Sequence, residues 1–104
     1  MYFAHEKFDC YRLALEVARW VEGVHVPPGR KHLREQMLPA ADSMVLNIAE
    51  GLAKDGASRR YQLTTALGSA AEVSANLDLL GVADGEMREK LRRVGAMLAK
   101  LSRR

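Results

Sequence analysis

A single cysteine, Cys10, excludes any disulfide within the chain and points to a reducing compartment. Aromatic residues make up only 6% of the 104, while alanine and leucine are abundant. That balance favours helices packed on small and aliphatic side chains over a β-sandwich. No apolar stretch approaches the ~20 residues needed to span a bilayer. The start, MYFAHEKFDC, has no basic segment followed by a long apolar run, so no signal peptide is expected. A cytoplasmic location follows as the expectation. Proline is confined to Pro27, Pro28 and Pro39. No internal repeat, linker or low-complexity segment is present, and the length suits one domain spanning residues 1–104 with a modest core. Chains this short often gain stability by oligomerising.

Chemistry-bearing patterns are equally sparse. His5, His25 and His32 share no i, i+4 spacing, and none pairs with a cysteine, so zinc-site spacing is absent. A di-metal carboxylate site in a helical bundle needs Glu-x-x-His on two helices. Glu22 with His25 is one instance, and there is no second. Neither a P-loop nor a G-x-G-x-x-G stretch occurs. Glu50 and Glu72 form the one carboxylate pair that acid/base catalysis would use. Such residues are more often paired to arginine or hydrogen-bonded at a helix end. The expectation is a chain with no catalytic residue, no metal and no cofactor.

What is present is helical periodicity. The first segment runs from about Phe8 to Val24, with Phe8, Tyr11, Leu15, Ala18 and Val21 as its stripe, widened by Ala14, Val17 and Val24 and with Trp20 on its edge. Cys10 lies one residue off that stripe and suits a packed position. Pro27-Pro28-Gly29 breaks the chain. The second segment runs from about Lys31 to Leu52, with Leu33, Met37, Ala40, Met44, Ile48 and Gly51 on one face. Pro39 predicts a kink or restart there. The third runs from about Ser58 to Leu80, capped by Ser58 or Asp55. It carries two stripes. Leu63, Ala66, Leu67, Ala70, Val73, Leu77 and Leu80 form one; Tyr61, Thr65, Gly68, Glu72, Ala75 and Leu79 form the other. A helix with so wide a small and apolar arc touches more than its own bundle. The fourth runs from about Gly85 to Leu101, with Asp84 as its cap and Met87, Leu91, Val94, Leu98 and Leu101 as a narrow stripe. Short turns between consecutive helices predict an all-α, antiparallel up-down-up-down four-helix bundle.

Within the second segment, SMVLNIAEG at 43–51 places an amide and a carboxylate in apolar surroundings. Glu50 sits where the helix macrodipole disfavours negative charge. Lys54, Arg59, Arg60 or the Tyr61 hydroxyl would offset it. Gly51 reads as a left-handed cap. Asn47 and Glu50 then fasten the turn between helices two and three, or a seam between subunits, specifying one packing register.

Charge is unevenly placed. Residues 1–52 hold six Lys/Arg against seven Asp/Glu, residues 53–85 three against four, and residues 86–104 seven against two. The basic excess therefore lies in the last segment, on Arg88, Lys90, Arg92, Arg93, Lys100, Arg103 and Arg104. Such a surface attracts polyanions, unless it is only a solvated helix face.

Gln36, Ala40-Ala41, Ser43 and Asn47-Ile48-Ala49-Glu50-Gly51, followed by Ala66, Gly68-Ser69 and Glu72, also carry a likeness. Together they resemble the signature of the four-helix-bundle proteins encoded in 23S rRNA intervening sequences. Phe8 and Tyr11 resemble that family's aromatic start, and the likeness covers about residues 6–101. More distantly the chain resembles accessory proteins of diversity-generating retroelements. Departures fall at Leu38 and Pro39, where the family has two arginines, and at Val45, where it has proline; its basic residue after Glu-Gly is matched only by Lys54. The resemblance implies a ring-like homo-oligomer, a pentamer, with Asn47, Glu50, Gly51, Gly68, Ser69 and Glu72 as structural signature residues and no catalytic residues. The leading expectation is thus a non-enzymatic oligomeric module that binds nucleic acid, RNA above all, through its basic fourth helix. Assembly would add avidity. The rival is a ring-shaped scaffold that docks a protein partner such as a reverse transcriptase or ribosomal factor.

Overall fold

The structure, a computed structural model, describes residues 1–103. Four helices account for most of them: α1 (Asp9–Val21), α2 (Lys31–Leu52), α3 (Gly56–Leu79) and α4 (Glu86–Ser102). Short 3-10 turns at Ala4–Lys7 and Pro28–Arg30 precede α1 and α2. No strand occurs among the described residues, and no helix is long and apolar enough to cross a membrane.

The molecule measures 43 × 22 × 22 Å. A 24-residue helix such as α3 is about 36 Å long, so it fits only along the long axis. α1 and α3 each pack on both α2 and α4, whereas the backbones of α1 and α3, and of α2 and α4, stay apart. α2 and α4 therefore occupy opposite corners of the cross-section.

One apolar core fills the centre. Its fully buried members include Met37, Met44 and Ile48 from α2, Leu63, Val73 and Leu77 from α3, and Val94 and Leu98 from α4. The stripe expected on α2 is buried throughout, from Leu33 to Gly51. On α1 the outcome differs. Phe8, Tyr11 and Leu15 sit at the margin, and the core face is Cys10, Leu13, Ala14, Val17, Ala18 and Val21. Smaller side chains let α1 approach its neighbours more closely, and the bulky ones shield the seam.

Pro39 neither ends nor restarts α2, which is assigned as one helix from Lys31 to Leu52. It faces solvent, where the carbonyl one turn earlier, which it displaces, stays hydrated. Asp55 stands at the N-cap of α3 without a side-chain cap bond, so neither it nor Ser58 caps that helix as expected. Gly85, rather than Asp84, is the N-cap residue of α4. The left-handed glycines are Gly56 (φ 57°) and Gly81 (φ 71°), not Gly51. Gly81 follows the end of α3 and lets the chain turn, with Val82 N–H donating to Leu77 O at 3.0 Å.

Asn76 is a polar residue in the core, 3% exposed. Its Nδ2 donates to Glu72 O at 2.9 Å, while its Oδ1 has no partner among the described residues. A buried orphan acceptor costs about 1–3 kcal/mol, and an apolar residue of similar size removes that cost. Asn76→Leu is expected to match or exceed the parent stability by about 1 kcal/mol in urea unfolding. A loss of stability would mean that the amide is satisfied in solution.

Candidate functional site

The polar residues of SMVLNIAEG divide into two groups. Asn47 Nδ2 donates to Ser43 O at 2.8 Å and to Ser43 Oγ at 3.1 Å. Ser43 Oγ also accepts from Ser69 Oγ on α3 at 2.9 Å. Ser43 is thus the hub of a small hydroxyl-amide cluster that ties α2 to α3. Glu50 takes no part in it. It is exposed and its carboxylate makes no ion pair among the described residues, so the offsets expected from Lys54, Arg59, Arg60 and Tyr61 are not formed. Its charge stays in water, where the macrodipole is screened.

Gly51 is a close-packing residue rather than a left-handed cap. A Cβ there would lie 3.0 Å from Gln62 Cβ and from Leu63 Cδ2. The outer stripe of α3 is the opposite case. Tyr61, Thr65, Gly68, Glu72, Ala75 and Leu79 are all exposed, with Tyr61 at 71% and Leu79 at 61%. A Cβ on Gly68 would meet nothing. A mid-helix glycine costs about 1 kcal/mol relative to alanine, and nothing inside this chain requires one there.

On α4 the fold sorts the basic residues by environment. Arg88 is a correction to the expected surface. It is 8% exposed, with Nη1 donating to Val82 O at 2.8 Å and Nη2 to Ser74 O at 3.5 Å and to the Asp78 carboxylate. Its guanidinium is committed to closing the α3–α4 turn. Lys90 is half-buried and bridges Glu16 on α1 (3.2 Å) and Glu86 (3.3 Å). The hydrogen bonds that its ammonium donates to these two carboxylates hold its pKa above the usual lysine range. Arg92 pairs with Asp84 at 2.6 Å and Glu89 at 3.2 Å. Its hydrogen bond and its charge hold the Asp84 carboxyl below the usual range.

Arg93, Lys100 and Arg103 remain. All three are exposed and make no ion pair among the described residues. Arg104 lies outside the described residues. Arg93 lines a groove between α1 and α4 with Asp9, Arg12, Leu13 and Glu16. Lys100 lines an adjoining slot with Lys7, Phe8, Cys10 and Met97. Lys7 therefore joins the cationic surface, although it lies 93 residues from Lys100 in sequence. Nothing in the sequence marks it, because its position depends on how α1 pairs with α4. Arg12 is paired with Asp9.

No three His, Cys, Asp or Glu residues come together in a set able to hold a metal, among the described residues. Glu50 and Glu72 are both exposed. Burial pushes the Cys10 thiol pKa up, which is the wrong direction for a nucleophile at neutral pH. Compared with protein-family models, with curated proteins and with solved structures, the chain matches none.

Proposed function

We propose that this chain is a non-enzymatic, self-associating module whose fourth helix binds nucleic acid, structured RNA in particular. The observation that carries the reading is the set of α4 cations without carboxylate partners among the described residues: Arg93, Lys100 and Arg103. Unneutralised guanidinium and ammonium groups exchange condensed counterions on a polyanion for direct phosphate contacts. Lys7 extends the same surface. Contacts of this kind position a phosphate backbone without reading bases.

Several finer features belong to the same reading. The bundle is antiparallel, up-down-up-down. Three short connections and the pairs Lys90–Glu16, Ser43–Ser69 and Arg88–Asp78 support that order. Copies associate, and the exposed α3 stripe around Gly68 supports this because it offers small residues for close backbone approach. A ring of five is the number that the likeness to the intervening-sequence proteins implies. The module works in the cytoplasm.

A titration with structured RNA, duplex DNA and single strands at several salt concentrations tests the proposal. Arg93→Glu combined with Lys100→Glu is expected to weaken RNA binding about 100-fold near 0.1 M salt and to lower the log–log salt slope by about 2. Arg92→Glu, whose parent side chain is already paired, is expected to change far less. Absence of binding even at low salt overturns the reading. The basic helix would then face an acidic protein, in the manner of a docking scaffold.

A further inference from the structure

The two helices on opposite corners of the bundle carry opposite charge. From Glu35 to Ala53 the chain has three acidic residues and no basic one, whereas from Lys90 to Arg104 it has six Lys/Arg and no acidic one. On α2, Glu35, Pro39, Asp42, Leu46 and Glu50 step by four, three, four and four residues, and all five are exposed. They form one outward stripe. On α4 and its C-cap, Arg93, Ala96, Lys100 and Arg103 step by three, four and three, and all four are exposed.

The centres of the stripes pair a large residue with a small one. Leu46 is a large apolar side chain, 66% exposed, one turn from Asp42 and one turn from Glu50. Ala96, small and exposed, lies between Arg93 and Lys100. At 1.5 Å per residue, Asp42 and Glu50 stand about 12 Å apart along their helix, and Arg93 and Lys100 about 10.5 Å. Asp42 and Glu50 make no ion pair within the chain among the described residues.

We infer that the acidic stripe of α2 docks on the basic stripe of α4 in a second copy of this chain. Asp42 and Glu50 pair with Arg93 and Lys100, and Leu46 seats over Ala96. The inference rests on the self-association proposed above and names the surfaces that meet. Asp42 and Leu46 line a groove between α1 and α2, and Arg93 and Lys100 line grooves between α1 and α4, so the two patches flank α1 on either side. Two copies can satisfy both contacts reciprocally in a two-fold dimer, or each copy can offer one patch to each of two neighbours in a ring or filament. The docked neighbour and a nucleic-acid phosphate compete for the same two cations, so nucleic acid loosens the assembly.

Charge exchange tests this. One variant carries Asp42→Lys with Glu50→Lys, and the other carries Arg93→Glu with Lys100→Glu. All four sites are exposed, and circular dichroism confirms that each variant folds. Light scattering after gel filtration gives the mass of the parent, of each variant and of their mixture. The expected result is an oligomeric parent whose dissociation constant rises at least tenfold in either variant alone, while an equimolar mixture associates again. In the mixture each α4 stripe finds an α2 stripe of opposite sign. An unchanged mass in both variants, or a mixture that fails to associate, overturns the inference. A parent that is monomeric at every concentration removes the self-association and the inference together. The α2 variant keeps every α4 cation and no longer docks a neighbour over them, so it is expected to bind RNA at least as tightly as the parent. Weaker binding would overturn the competition, while absent binding in both would overturn only the nucleic-acid reading.

Discussion

Arg88→Ala is expected to lower the stability of the fold by about 3 kcal/mol, the largest loss from any charged residue of the chain. The guanidinium is buried, and it serves the Val82 and Ser74 carbonyls and the Asp78 carboxylate at once. Alanine leaves the Val82 carbonyl without that donor and opens the space that the aliphatic stem filled. Lysine does not restore the contacts, because one ammonium cannot reproduce a planar fork aimed at separated acceptors. The reciprocal change is much milder. The Asp78 side chain is 66% exposed, so Asp78→Ala is expected to cost less than about 1 kcal/mol. Urea unfolding of both variants checks the asymmetry. Equal losses would mean that the ion pair, rather than the buried carbonyl contacts, holds the turn.

Gly51→Ala is expected to destabilise by about 2 kcal/mol, lowering the melting temperature by roughly 10 °C. Helix propensity alone argues the reverse, since alanine exceeds glycine by about 1 kcal/mol in a helix interior. The added methyl, however, would lie 3.0 Å from Gln62 Cβ and from Leu63 Cδ2. Gln62 Cβ sits at the root of its side chain, so α3 itself must shift to make room. Gly68→Ala separates the two effects within the same bundle. Its methyl meets nothing in the chain, so the isolated subunit is expected to gain about 1 kcal/mol. Thermal melts at low protein concentration compare the two. A melting temperature for Gly51→Ala at or above the parent's would show that α2 and α3 separate at little cost.

Much of the helical layout is legible in the chain. α2 begins and ends where the sequence places it, because Pro27-Pro28-Gly29 bounds its start and its apolar residues step regularly to Gly51. α3 likewise shows its two faces, one buried and one exposed. The face of α1 was harder to read. Apolar residues lie on nearly every side of that helix, and volume favours Phe8, Tyr11 and Leu15. Close packing instead centres the core face on Ala14 and Val17, at the widened edge of the expected stripe, and adds Leu13, which the periodicity left out. Side-chain partners were the least legible. Excess positive charge in the last segment is a matter of counting, but its division into a buried Arg88, paired Lys90 and Arg92, and free Arg93 and Lys100 depends on where α1 and the α3–α4 turn bring their carboxylates and carbonyls. Glu50 illustrates the same limit from the other side: four nearby groups had the right chemistry, and none reaches it.

Cys10 gives the molecule a built-in clock. It is the only thiol, it is 2% exposed at the base of the slot between the start of α1 and the end of α4, and its burial disfavours the reactive thiolate. An alkylating reagent reaches it only when the packing around α1 opens. When reclosing outpaces modification, the labelling rate measures the population of that open form directly. Opening of the native protein can thus be followed under undisturbed conditions without introducing a probe.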